Sequence, residues 1–139
     1  MTAVPLFLVR LMQRPKLGSL KVGPEDRISI ELADRLRGWS LDGRLNAVWT
    51  HPANEVGGGT KNAALRYTLA KALGMIPGTP DFLFIGQTSA VIEMKAPGGS
   101  LSDNQKDFRD WSAMRGVNHA VCRSADDAEA KLREWGILA

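Results

Sequence analysis

A chain of 139 residues with 44% hydrophobic and 24% charged side chains has the make-up of one soluble domain. That excludes a disordered tail, a fibrous repeat and a membrane-embedded bundle. The formal net charge of +3 permits a polyanionic partner without demanding one. The single cysteine, Cys122, leaves no intramolecular disulfide, which fits a reducing cytosol, and no Cys/His cluster argues for zinc.

In chain order, residues 1–23 read as an extended N-terminal arm and residues 24–139 as the domain. Ala3 to Met12 is apolar apart from Pro5 and Arg10, too short to span a bilayer and without the positive start and cleavage site of a secretion signal. Basic residues Arg10, Arg14, Lys16 and Lys21 accompany it. A surface strand or frayed end is favoured over an arm that clasps a second subunit or nucleic acid. A helix is predicted from Pro24, with Glu25 and Asp26 in the first turn, where the helix dipole favours acids. Its apolar stripe is Ile28, Leu32 and Leu36. Glu31 flanks that stripe, a position ordinarily taken by a solvated residue or an i,i+4 partner, here of Arg27 or Arg35.

Gly38 to Arg44 is expected as loop and Leu45 to His51 as a strand with Leu45, Ala47 and Trp49 on one face. Next come His51, Pro52, Ala53, Asn54, Glu55 and a glycine run ending in Thr60 and Lys61. The order of Gly57 to Lys61 is wrong for a Walker loop. At most its backbone N–H groups hold a phosphate at a helix start. A lone His51 is more often a hydrogen-bonded structural residue than a ligand. From Thr60 as N-cap, a second helix gathers Ala64, Leu65, Thr68, Leu69, Ala72 and Leu73 on one face, with Lys61, Arg66 and Lys71 elsewhere, and stops at Gly74.

The stretch from Gly78 to Lys95 is the most informative. Asp81 opens the run Phe82 to Ile85, a Gly-Gln-Thr-Ser turn follows, and Ala90 to Ile92 ends in Glu93, Met94 and Lys95. This is a hairpin pattern. Strand alternation puts Glu93 and Lys95 on one face, and a register that sets Ile85 opposite Ser89 sets Asp81 opposite Glu93. Beyond it, Ser102 to Gln105 opens a helix with Phe108, Trp111 and Met114 inward. Val117 to Cys122 is a strand, and a last helix runs from Ser124 to near Gly136. The order α-β-α-β-β-α-β-α predicts an α/β fold: a mixed sheet flanked by helices.

Asp81 and Glu93 can hold a hard divalent cation such as Mg²⁺, which takes oxygen ligands and polarises a phosphate. Lys95 can orient water or stabilise charge on that phosphate. The plainer reading is a surface hairpin with a weak exposed ion pair. Against it, Ala90 to Ile92 lacks the polar alternation of a solvated edge.

Taken together, His51-Pro-Ala-Asn54-Glu55, Gly74-Met-Ile-Pro-Gly78-Thr-Pro-Asp81, Ile92-Glu93-Met94-Lys95 and Ser102 to Gln105 resemble the VRR-NUC domain of the PD-(D/E)XK nuclease superfamily. The resemblance spans roughly residues 26–132 and is to the compact free-standing form of phages and prophages. It implies a restriction-endonuclease-like core and a metal site of Asp81, Glu93, the Met94 carbonyl and Glu31 as the acid on the first helix. Lys95 and Gln105 complete the catalytic set. His51, Asn54 and Glu55 match a family signature and are candidate substrate-binding or site-shaping residues, and Lys61 and Arg66 are candidate phosphate contacts. The implied activity is Mg²⁺-dependent cleavage of DNA, with Mn²⁺ substituting, by a homodimer in the host cytoplasm that selects four-way junctions or other branched DNA. A restriction-like or nicking nuclease is the alternative, and a non-catalytic nucleic-acid-binding protein the third reading.

Overall fold

A computed structural model describes residues 3–52 and 62–139. In chain order its elements are α1 (Leu6–Leu11), α2 (Pro24–Leu41), β1 (Val48–Thr50), α3 (Ala63–Ala72), β2 (Phe82–Ile85), β3 (Ala90–Met94), α4 (Asp103–Met114), β4 (Asn118–Cys122) and α5 (Ala125–Glu134). From Pro24 onward this is the predicted order. No helix among the described residues is long and apolar enough to cross a membrane.

The strands form one mixed sheet in the order β1-β2-β3-β4. β1 and β2 pair antiparallel, as do β2 and β3, while β3 and β4 run parallel. A parallel pair needs a crossover, and α4 supplies it. β3 lies inside the sheet, and all of its residues are buried. This explains its unbroken apolar run Ala90, Val91, Ile92, which a half-solvated strand would have interrupted. One face of the sheet carries Phe82, Phe84, Ala90, Ile92 and Met94 into the core, where α2 brings Leu32, Leu36 and Trp39 and α5 brings Ala125, Ala128 and Leu132. Arg35 ties these two helices together at the surface, with Nη1 2.8 Å from an Asp126 carboxylate oxygen and 3.3 Å from one of Glu129. α4 packs on β4.

Four expectations need correction. The arm is not extended throughout: Leu6–Leu11 is a short helix with no buried residue. α2 does not stop at Gly38 but runs to Leu41, because Trp39 continues the stripe of Leu32 and Leu36. Burying an indole outweighs the roughly 1 kcal/mol that a glycine costs inside a helix. α3 buries none of its residues, and the face gathered there stands open, with Leu65, Leu69 and Leu73 70%, 59% and 79% exposed. On α4 the inward residues are Phe108 and Ser112, whereas Trp111 and Met114 are exposed. The Ser112 hydroxyl donates to the Phe108 carbonyl at 2.8 Å. This return bond lets a polar residue take a buried position.

Candidate metal centre

The hairpin register organises the site. Phe82 pairs with Ile92 and Phe84 with Ala90, the even register predicted from strand alternation. Carried one step outward, it sets Asp81 opposite Glu93. Asp81 does not stay on its own strand. Its Oδ2 accepts the Met94 N–H at 2.7 Å, which anchors the carboxylate across the hairpin mouth. In a strand the N–H and C=O of one residue issue from the same edge, so the Met94 carbonyl faces the same side.

Glu93 is 2% exposed. Its Oε1 accepts a hydrogen bond from Gln105 Nε2 at 2.9 Å and lies 3.6 Å from Lys95 Nζ. Gln105 is the third residue of α4, and its Oε1 accepts the Ser102 N–H at 2.9 Å while its own N–H donates to the Ser102 hydroxyl at 3.2 Å. One side chain therefore closes a capping box and reaches the buried acid. His51 Nδ1 lies 2.6 Å from the Asp81 carbonyl oxygen. A carbonyl only accepts, so Nδ1 is the donor in this contact.

Of the acids on α2, the structure brings Glu25, and not Glu31, to Asp81 and Glu93. Glu25, Asp81 and Glu93 each present a carboxylate oxygen within 4.8 Å of the others. Glu31 instead is paired with Arg35 at 3.2 Å. Six residues of helix turn a side chain about 120° away from its starting face, so Glu25 and Glu31 cannot serve one centre. A signal for Glu25 was present in the sequence: positions 25, 28, 32 and 36 continue one stripe, which puts this acid on the line of the buried leucines.

Burial, with the Asp81 carboxylate as the second cause, pushes the Glu93 carboxyl up to about 8 against the pull of Lys95. Burial likewise raises Asp81, although the Met94 N–H opposes it. Glu93 Oε2 is buried with no hydrogen-bond partner among the described residues, a condition that costs on the order of 1–3 kcal/mol or more for a charged group. Converging acids with an orphaned buried oxygen are a poor arrangement for a bare protein and a fitting one for a hard cation that takes oxygen ligands. The donor set fits a hard divalent cation by this test.

A cavity of about 260 Å³ opens over these groups, with Tyr67, Thr79 and Gln105 among its walls beside the acids. Arg66 lies exposed on α3 and is not among the cavity walls. Asn54, Glu55 and Lys61 lie outside the described residues, as does the N-cap assigned to Thr60.

The model of a family described as the VRR-NUC domain matches residues 52–126, more than half of the chain. The chain belongs to the VRR-NUC domain family. A solved structure described as a "VRR_NUC domain protein" is similar over 84% of this chain and 90% of that one, with a TM-score of 0.57 at 18% identity. At that identity the likeness shows the fold. No curated protein matches the chain. The matched VRR-NUC span holds Asp81, Glu93, Lys95 and Gln105 but stops short of α2, so Glu25 enters the site by geometry alone. The VRR-NUC domain is a nuclease domain, and the described residues of this chain hold an acidic cluster that could take a divalent cation.

Gly78 joins this VRR-NUC site to its frame. Its φ is +85°, and a Cβ built there would collide with the Asn104 backbone carbonyl and crowd the Gln105 N–H at the start of α4. Gly78→Ala is expected to cost roughly 2–4 kcal/mol, from the left-handed backbone together with the collision. A melt followed by circular dichroism checks this, and an unchanged midpoint would remove the close approach from the account.

Proposed function

We propose that this chain is a divalent-metal-dependent endodeoxyribonuclease that selects branched DNA, four-way junctions among its substrates, and works as a homodimer. The observation that carries the reading is the convergence of Glu25, Asp81 and Glu93 beside Lys95, with one Glu93 oxygen buried and without a partner among the described residues.

In this reading Glu25, Asp81, Glu93 and the Met94 carbonyl hold Mg²⁺, for which Mn²⁺ substitutes. When bound, the ion polarises the scissile phosphate and favours ionisation of water near neutral pH. The protein's own groups do the remaining work. Gln105 fixes the Glu93 carboxylate in one orientation, and the Asp81 carboxylate is held by the Met94 N–H. The Lys95 ammonium orients the attacking water and stabilises negative charge gathering on the phosphate as the new P–O bond forms and the leaving P–O bond breaks. His51, with Nδ1 occupied, offers Nε2 to the substrate. Arg66 on α3 is assigned to its flank, and Asn54, Glu55 and Lys61, outside the described residues, stay substrate-contact candidates on the sequence alone. With one such centre among the described residues of each chain, paired cuts across a junction call for two copies. The uncovered Leu65, Leu69 and Leu73 stripe of α3 offers an apolar face for that pairing.

The test is cleavage of labelled four-way junctions, nicked and flapped duplexes and linear duplex in Mg²⁺, with Asp81→Asn and Lys95→Ala beside the wild type. Wild-type protein is expected to cut junctions faster than linear duplex, and each variant to lose about a hundredfold or more. Intact branched substrates would sink the proposal. Equal rates on linear duplex would favour a restriction-like nuclease, and equal rates from wild type and Lys95→Ala would point to a contaminant.

A further inference from the structure

The metal centre has a second opening. A groove of about 970 Å³ runs between the N-terminal arm and the body formed by α2 and β1, and Glu25, His51 and Asp81 line both this groove and the smaller cavity over the acids. Its apolar lining includes Phe7 and Leu11 on the arm and Trp49 on β1. Trp49 is held in place, since its Nε1 donates to the Ser40 hydroxyl at 2.9 Å and its ring lies 6.3 Å from that of Phe82.

Lys21 and Arg37 also line the groove, Arg37 with Nη1 3.0 Å from an Asp34 carboxylate oxygen, and Asp26 joins Glu25 and Asp81 as its acids. Residues 10–21 carry Arg10, Arg14, Lys16 and Lys21 with no acid among them. Arg14 is paired with Asp34, whereas Arg10, Lys16 and Lys21 form no ion pair among the described residues. Charge of one sign along the arm disfavours a second copy of the same surface and favours a polyanion. An intact duplex keeps its bases stacked inside and gives an apolar floor nothing to cover. An unpaired strand offers both parts, phosphates for the cations and base faces for the rings.

We propose that this groove is the track for an unpaired segment of the substrate strand next to the scissile phosphate, with bases on Phe7, Leu11 and Trp49 and phosphates on Lys21 and Arg37. The proposal rests on the nuclease reading and narrows it: the favoured substrate is DNA in which a strand leaves the duplex beside the cut.

The test separates binding from cutting. With Ca²⁺ in place of Mg²⁺, a fluorescent oligodeoxythymidine and a blunt duplex of equal length are titrated with wild type and with a Phe7→Ala, Lys21→Ala double variant. Both positions are exposed, so the variant is expected to melt with the wild type. The oligodeoxythymidine is expected to bind more tightly than the duplex and to lose about tenfold in the double variant. An iododeoxyuridine-bearing oligonucleotide is expected to crosslink to a peptide holding Phe7 or Trp49. No binding by the wild type, equal binding by the variant, or crosslinks confined to α3 or α4 would overturn the groove assignment. Failure of the nuclease reading is seen separately, as wild type leaving every DNA intact in Mg²⁺, and cutting with unchanged variant binding would remove the groove alone.

Discussion

Glu25→Gln protein is expected to cut DNA at least about a hundredfold more slowly than wild type in Mg²⁺, while Glu31→Gln protein keeps its rate within about twofold. The contrast is large because the two acids share a helix yet occupy different environments. Glu25 has a carboxylate oxygen within 4.8 Å of those of Asp81 and Glu93. Glu31 is part of a surface pairing with Arg35, where an exposed ion pair contributes about 1 kcal/mol or less. Initial rates on one labelled junction, with both variants matched to wild type by circular dichroism, decide the matter. Glu25→Gln is also expected to weaken Mn²⁺ binding in calorimetry, since an amide is a poorer ligand than a carboxylate for a hard cation. A Glu25→Gln variant with wild-type rates would take this acid out of the centre.

The second large effect concerns Glu93 and pH. In metal-free protein the folded state keeps the Glu93 proton up to about 8, whereas the unfolded chain has released it above its ordinary value of 4.5. Across that interval the folded state binds more protons than the unfolded one, so stability is highest at the acid end and falls as pH rises. The loss amounts to roughly 3–5 kcal/mol and is shared with Asp81, whose carboxyl is also raised and titrates with it as a pair. Urea melts in EDTA from about pH 5 to 9 would trace this decline. Adding Mg²⁺ is expected to offset it increasingly toward higher pH, because binding a cation to the carboxylates releases the retained proton. Glu93→Gln is expected to flatten the EDTA profile and to abolish stabilisation by Mg²⁺. A flat wild-type profile in EDTA would mean that the acids are better solvated than their burial implies.

What could be read from the residues follows from where local pattern and tertiary position coincide. The hairpin was legible because two apolar runs separated by turn residues allow few pairings, and the even one alone puts Asp81 and Glu93 at the same end. The final helix was legible because Ser124 and the acids after it mark its start, and Ser124 does accept the Asp127 N–H at 3.0 Å. Periodicity misled on α3. A stripe of Leu65, Leu69 and Leu73 says that a helix is amphipathic and is silent about whether the same chain covers it. For the site, strand order was enough to bring Lys95 near Glu93. The choice between Glu25 and Glu31 was not local. It depended on how far back along α2 the buried stripe extends and on where the helix starts relative to the hairpin mouth.

The double duty of Gln105 has an evolutionary and engineering consequence. A capping box accepts Glu as readily as Gln at its third helical position, so helix formation by itself would leave that choice open. Here the amide nitrogen must also donate to Glu93. A glutamate would keep the cap and place a further negative charge beside acids that already repel one another, and a residue that only donates would keep the contact and lose the cap. Glutamine alone among the common capping residues offers one acceptor and one donor at this reach. Redesign of α4 for stability, which would rank the two residues as equals, therefore has one position where the substitution is forbidden by charge.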